Sequence, residues 1–143
     1  MRAWMDEHTG IIETPANSNR HPIIDEWNRM AGVPVASFWC GSAAGACLKA
    51  FDIEPPKSYA WSPTWDKWGK PAPNVVPTGA AFTIHSKRQK RTHHVGLVYL
   101  DLGVSIESWE GNASNGASNN GDRTRKRMRM KSSLKNVRIC GEC

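Results

Sequence analysis

Two aromatic residues, Phe38-Trp39, give way at once to small side chains, Cys40-Gly41-Ser42-Ala43-Ala44, and no other segment constrains the fold as strongly. Ala43, Ala44, Cys47 and Phe51 follow Cys40 at helical spacing, which predicts a helix over residues 40–51. Gly41 and Gly45 weaken such a helix by roughly 1 kcal/mol each relative to alanine. Small residues there would let a sheet approach closely, which offsets the loss. A thiol at a helix start meets unpaired backbone N–H groups and the positive end of the helix dipole. Both favour the thiolate, the nucleophilic form.

Around this helix the pattern changes twice. Residues 1–20 are polar and weakly patterned, with Pro15, Asn17, Ser18 and Asn19 as breakers. Pro22 then stands at a helix N1 position, Ile23, Ile24, Trp27 and Met30 share one face, and Gly32 ends the segment. Residues 52–78, rich in proline and tryptophan, read as a long irregular loop, either functional or a covering over the core. Beyond it the chain alternates: strands over 79–86, 94–100, 105–112, 123–131 and 137–140. A basic turn at 87–91, a link at Asp101-Leu102-Gly103 and an Asn/Ser/Gly-rich loop at 115–122 separate them. Helices first and an antiparallel sheet after is an α+β pattern, N-terminal helices packed on a small antiparallel sheet. Its 143 residues suit one domain, with the core at about 10–140.

Composition narrows the function classes. No apolar run reaches the roughly 20 residues that cross a bilayer, so no membrane insertion is expected. Residues 1–7 lack the apolar stretch of a secretory signal, which implies synthesis in the cytoplasm and delivery by other means. The net charge of +6 favours an anionic partner: nucleic acid, anionic lipid or an acidic wall polymer. Arg123 to Lys131 together with Lys87 to Arg91 could form a nucleic-acid surface or merely solvated strand faces. That run lacks base-stacking aromatics of its own, so nucleic acid is not the expected partner. Seven tryptophans supply both core volume and flat surfaces for sugars, and Trp39, Trp61 and Trp65 are the candidate substrate-binding positions. Cys140-x-x-Cys143 is half of a zinc site with no second half, so a labile terminal disulfide or two idle thiols is expected and no structural metal.

Residues two apart on a strand share a side. With a three-residue hairpin loop over 101–103, Leu100 pairs with Val104 and His94 falls opposite Glu110, a register that a bulge would shift. That sets an imidazole beside a carboxylate and the Asn112 amide, which hold one ring nitrogen as donor and leave the other to take a proton from a thiol. By alternation His93 points to the opposite face. Taken singly, each residue has an ordinary reading too: a small buried cysteine, a polar strand histidine, a strand end.

Trp39-Cys40-Gly41-Ser42, His94-Val95-Gly96-Leu97-Val98 and Glu110-Gly111-Asn112, in that order and spacing, resemble the three signature segments of the CHAP amidases. These are relatives of the NlpC-type peptidases within the papain-like superfamily. Residues 17–28 look like the helix that precedes the cysteine there, and Tyr59-Ala60-Trp61-Ser62-Pro63 is similar to a stretch of bacterial and phage members. The likeness covers roughly residues 10–130. It departs at Gly79-Ala80, where members commonly carry Gly-Asp. The resemblance implies a papain-like CHAP/NlpC-type fold, with Cys40 as nucleophile, His94 as base, and Glu110 and Asn112 orienting the histidine. It implies a monomeric hydrolase of peptidoglycan amide bonds, an amidase or an endopeptidase, needing no cofactor. Some members bind calcium near the cysteine, but no aspartate cluster stands close to Cys40, so calcium is not expected. A phage lysin released through a holin and a toxin delivered by a secretion system both suit such a chain. A catalytically inactive wall-binding module is the other alternative.

Overall fold

Pro22 occupies the first position of helix α2 (Pro22–Met30), its ring preset for helical φ, and His21 Nδ1 accepts a hydrogen bond from the Ile23 N–H at 3.1 Å. Ile24 and Trp27 are buried from its apolar face, and Gly32 follows its end at φ +73°. The structure, a computed structural model, describes residues 1–114 and 121–142. Most of the expected loop at 115–122, and Cys143, thus lie outside the described residues.

The N-terminus departs from the expectation of an unpatterned segment, because Arg2–Glu7 forms helix α1. One and a half turns carry too little periodicity to read from sequence, and so short a helix depends on tertiary contacts. Met5 is fully buried, and Trp4 stacks on His8 at 3.8 Å and meets Trp109 edge-on at 5.6 Å.

Helix α3 (Cys40–Lys49) starts at Cys40 as expected but stops before Phe51, which is exposed. Its small residues work on two sides. Toward the sheet, Ala43 lies so near Gly111 that a Cβ on that glycine would come within 2.4 Å of the Ala43 Cβ. The two helix glycines face a loop instead. A Cβ on Gly45 would reach the Tyr59 ring at 2.2 Å, and one on Gly41 the Tyr59 carbonyl oxygen at 2.2 Å. Close approach therefore explains the small residues, with the Tyr59-Ala60 segment sharing the role given to the sheet.

Among the described residues the sheet has six strands, all antiparallel: β1 (Lys70–Pro71), β2 (Ala81–Ser86), β3 (Arg91–Asp101), β4 (Ser105–Ala113), β5 (Arg123–Met130) and β6 (Asn136–Ile139). Their order is β1-β6-β2-β3-β4-β5, and with helices α1, α2 and α3 the fold is α+β. Val95, Leu97 and Trp109 join the core cluster of α2 and α3, whereas Phe82, Val98 and Ile106 form a second cluster. The intervening residues His94, Gly96, Ser108 and Glu110 alternate with the first set. Among the described residues no helix is long and apolar enough to cross a membrane.

Residues 52–78 hold a 3-10 helix at Ser62–Lys67. Trp65 and Trp68 meet edge-on at 5.5 Å, and their indole N–H groups donate to the Tyr59 and Glu54 carbonyls at 2.7 and 3.0 Å. Asp66 ties this helix to the sheet, accepting from Thr83, Thr92, Lys135 and Asn136 at 2.6–2.9 Å.

Candidate active site

At the start of helix α3, Trp39 at the N-cap makes no side-chain cap hydrogen bond and the first turn has no acidic residue, so no side chain of that turn offsets the positive helix end beside Cys40. Cys40 is 6% exposed and borders a cleft of about 700 Å³, open solvent included, with His94, Ser62, Trp61, Arg91 and Asn112. Ser62 Oγ lies 3.5 Å from Cys40 Sγ.

His94 reaches the cleft by a register other than the one expected. Asp101 pairs with Ile106, so the turn closes over residues 102–105 and not 101–103; a bulge at Tyr99 takes back one position of that shift, and Val98 pairs with Ser108 and Leu97 with Trp109. Continuing that register sets Gly96, not His94, across from Glu110. His94 meets the carboxylate diagonally, its Nε2 2.7 Å from Glu110 Oε2. Gly96 leaves the space for this contact, because a Cβ there would come within 2.8 Å of Glu110 Cγ and 2.5 Å of the Phe82 ring. With Nε2 on the carboxylate, Nδ1 is the ring nitrogen available to Cys40.

The expectation for His93 also fails. In the β2–β3 pairing Ile84 opposes His94 and His85 opposes Thr92, so His93 is the extra residue of a bulge and lines the same cleft. Its Nδ1 is 3.2 Å from the Ile84 carbonyl oxygen, and burial together with the neighbouring His94 charge pushes its pKa down.

Glu110 is fully buried and is the anchor of the site. Beyond His94 it meets Arg129, with Nε on Oε1 at 2.5 Å and Nη2 on Oε2 at 2.7 Å, and it accepts from Ser108 Oγ at 2.5 Å. Burial pushes the carboxyl up, but the hydrogen bonds from Arg129 and His94 outweigh it and hold Glu110 well below the usual carboxylate range. Arg129 and Ser108 were not among the residues the sequence pointed to. The available signal was a buried strand carboxylate, which needs a cation.

The electrostatics of the reacting pair follow. Burial pushes the Cys40 thiol up, yet its hydrogen bond with His94, the His94 charge and the Ser62 hydroxyl bring it down to about 7. For His94 burial favours the neutral ring, and the contacts with Cys40 and Glu110 reverse this and raise it to about 9. Cys47, seven residues along the same helix, has no such partners, and burial pushes it up to about 12. Two cysteines on one helix thus differ in kind: Cys40 is poised as thiolate beside imidazolium, whereas Cys47 is packing. Cys140 is disulfide-bonded.

Asn112 lines the cleft but makes no bond to His94; Glu110 alone holds the ring nitrogen among the described residues. Asn112 adopts φ +52°, is 8% exposed, and its Oδ1 is buried without a hydrogen-bond partner. Of the three candidate tryptophans, Trp61 is 52% exposed at the cleft. Trp39 and Trp65 are fully buried, bonded to Glu13 Oε1 and the Tyr59 carbonyl, and present no surface to a substrate. Their indoles are large enough to be worth more as core. Among the described residues no group of three His, Cys, Asp or Glu is placed to hold a metal ion. Comparison with protein-family models, curated proteins and solved structures gives no match to this chain.

Proposed function

We propose that the protein is a cysteine-dependent hydrolase of amide bonds, acting on peptidoglycan as a CHAP-type amidase or endopeptidase of papain-like fold. The observation that carries the reading is the chain Cys40–His94–Glu110, with the thiol lowered to about 7 and the imidazole raised to about 9 in one cleft. In this reading the Cys40 thiolate adds to the amide carbonyl carbon, and backbone N–H groups at the start of α3 hold the oxyanion. His94 protonates the leaving nitrogen as the C–N bond breaks, which leaves a thioester on Cys40. Water, deprotonated by His94, then hydrolyses the thioester and frees the acid. Glu110 keeps the ring oriented throughout.

Peptidoglycan enters through the order and context of the three motifs, with the exposed Trp61 face and the net positive charge in support. Delivery through a holin or a secretion system belongs to the same proposal. Purified walls incubated with the wild-type protein should gain free amino groups, with the new termini assigned by mass spectrometry of the fragments. Cys40→Ala should abolish that release while leaving the circular dichroism spectrum unchanged. Undiminished release by Cys40→Ala would sink the reading.

A further inference from the structure

The cleft that holds the thiol also carries a charge the reaction scheme leaves unused, that of Arg91. Arg91 at the start of β3 holds its guanidinium 4.4 Å from the centre of the Trp61 ring, and Nη1 donates to the Thr92 carbonyl at 2.9 Å. Stacking and one backbone bond fix the plane of the guanidinium and leave further N–H donors unassigned. Arg91 makes no salt bridge among the described residues, and none of the residues lining the cleft is an aspartate or glutamate. Arg129, by contrast, is committed to Glu110, and His94 to Glu110 and Cys40.

We propose that the cleft selects amide substrates that carry a free carboxylate near the scissile bond, with Arg91 binding the carboxylate. The inference rests on the hydrolase reading and names the substrate feature that site reads. A planar guanidinium matches a carboxylate through two parallel hydrogen bonds, which a neutral carboxamide cannot reproduce. Amidation of the carboxylate therefore leaves Arg91 without its anion.

Calorimetry on the Cys40→Ala protein tests this without turnover, using a muramyl tetrapeptide with free carboxylates and its fully amidated counterpart as probes. The free form is expected to bind about 10- to 100-fold more tightly, the range of a hydrogen-bonded charge pair. Adding Arg91→Gln should erase that ratio by weakening the free form alone, and Arg91→Lys should restore part of it. Equal affinity for the two probes, absence of binding to either, or an Arg91→Gln protein of unchanged Tm that weakens both equally would each overturn the inference. Turnover by the wild type separates the two levels. Cleavage of both probes at equal efficiency removes the role of Arg91 and leaves the hydrolase standing. Discrimination in binding with no cleavage keeps Arg91 and removes the hydrolase.

Discussion

A thiol and an imidazole in contact share one proton, and the groups around each decide where it rests. Here the decision is made on the far side of the ring, where Arg129 and Ser108 keep Glu110 ionised and Glu110 keeps His94 charged. The thiolate forms as pH rises through about 7, and the imidazolium persists until pH passes about 9, so the ion pair occupies the window between. Alkylation of Cys40 by iodoacetamide, located by peptide mapping, should therefore rise with a midpoint near pH 7. In His94→Ala burial remains without the cation, and the midpoint should move above that of an ordinary thiol. An unmoved midpoint would show that His94 does not set the thiol's acidity. Arg129 allows a second test. Its removal strands a buried carboxylate, and Arg129→Met should destabilise the protein by about 3–5 kcal/mol in urea unfolding. The double variant Glu110→Leu/Arg129→Met should lose less than the sum of the single changes. Cys40, His94 and Glu110 could be picked out because each sits in a local motif. Arg129 could not, since it stands 19 residues from its partner inside a basic run that reads equally well as solvated.

At the level of elements, what could be read were features written in neighbouring residues: the N1 proline of α2, the small-residue start of α3 and the alternation of β2 to β5. The features that escaped are those decided by pairing. A bulge brought His93 to the cleft, and a turn closing over residues 102–105 and not 101–103 replaced the direct pairing expected between His94 and Glu110 by a diagonal contact. The 3-10 helix over residues 62–67 escaped for a related reason, because partners distant in the chain hold it. Asp66 is that connection, joining it to β2, β3 and the Lys135-Asn136 segment. Burial pushes its carboxyl up, but hydrogen bonds from Lys135, Thr92, Thr83 and Asn136 bring it down to about 2. A carboxyl depressed in the folded state stabilises fully above its unfolded pKa, and the contribution fades as pH falls through the folded one. Asp66→Asn should thus lower stability at pH 7 by about 1–3 kcal/mol. It should also flatten the loss of stability of the wild type between pH 4 and pH 2. Urea midpoints at pH 7 and pH 3 check both, and parallel pH profiles for the two proteins would rule the connection out.

For the molecule as a whole the question is what a charge of +6 does when so much of it is engaged internally. The basic strand β5 shows the pattern: Arg123 and Arg125 pair with Asp122, Lys126 with Asp6, Arg129 with Glu110, and Arg127 donates to the Ser114 carbonyl. Lys131, just beyond the strand, pairs with Asp101. Such a strand is bound into the fold and makes a poor unbroken track for phosphates, which weakens the nucleic-acid alternative. Under the proposed function, the remaining excess charge would act at a distance, as a field that concentrates the protein on a polyanionic wall. A field of this kind is screened over about 10 Å at 0.1 M salt, whereas events inside the cleft are screened far less. Release of amino groups from intact walls should therefore fall several-fold between about 50 and 300 mM NaCl, while hydrolysis of a small uncharged peptide amide changes little. If both substrates lose rate in parallel, salt is acting on the cleft or on the fold, and the net charge has no part in finding the wall. A protein that instead held duplex DNA well below micromolar Kd at 0.15 M salt would exceed what sequence-independent attraction supplies. That result would return β5 to the role of a nucleic-acid surface.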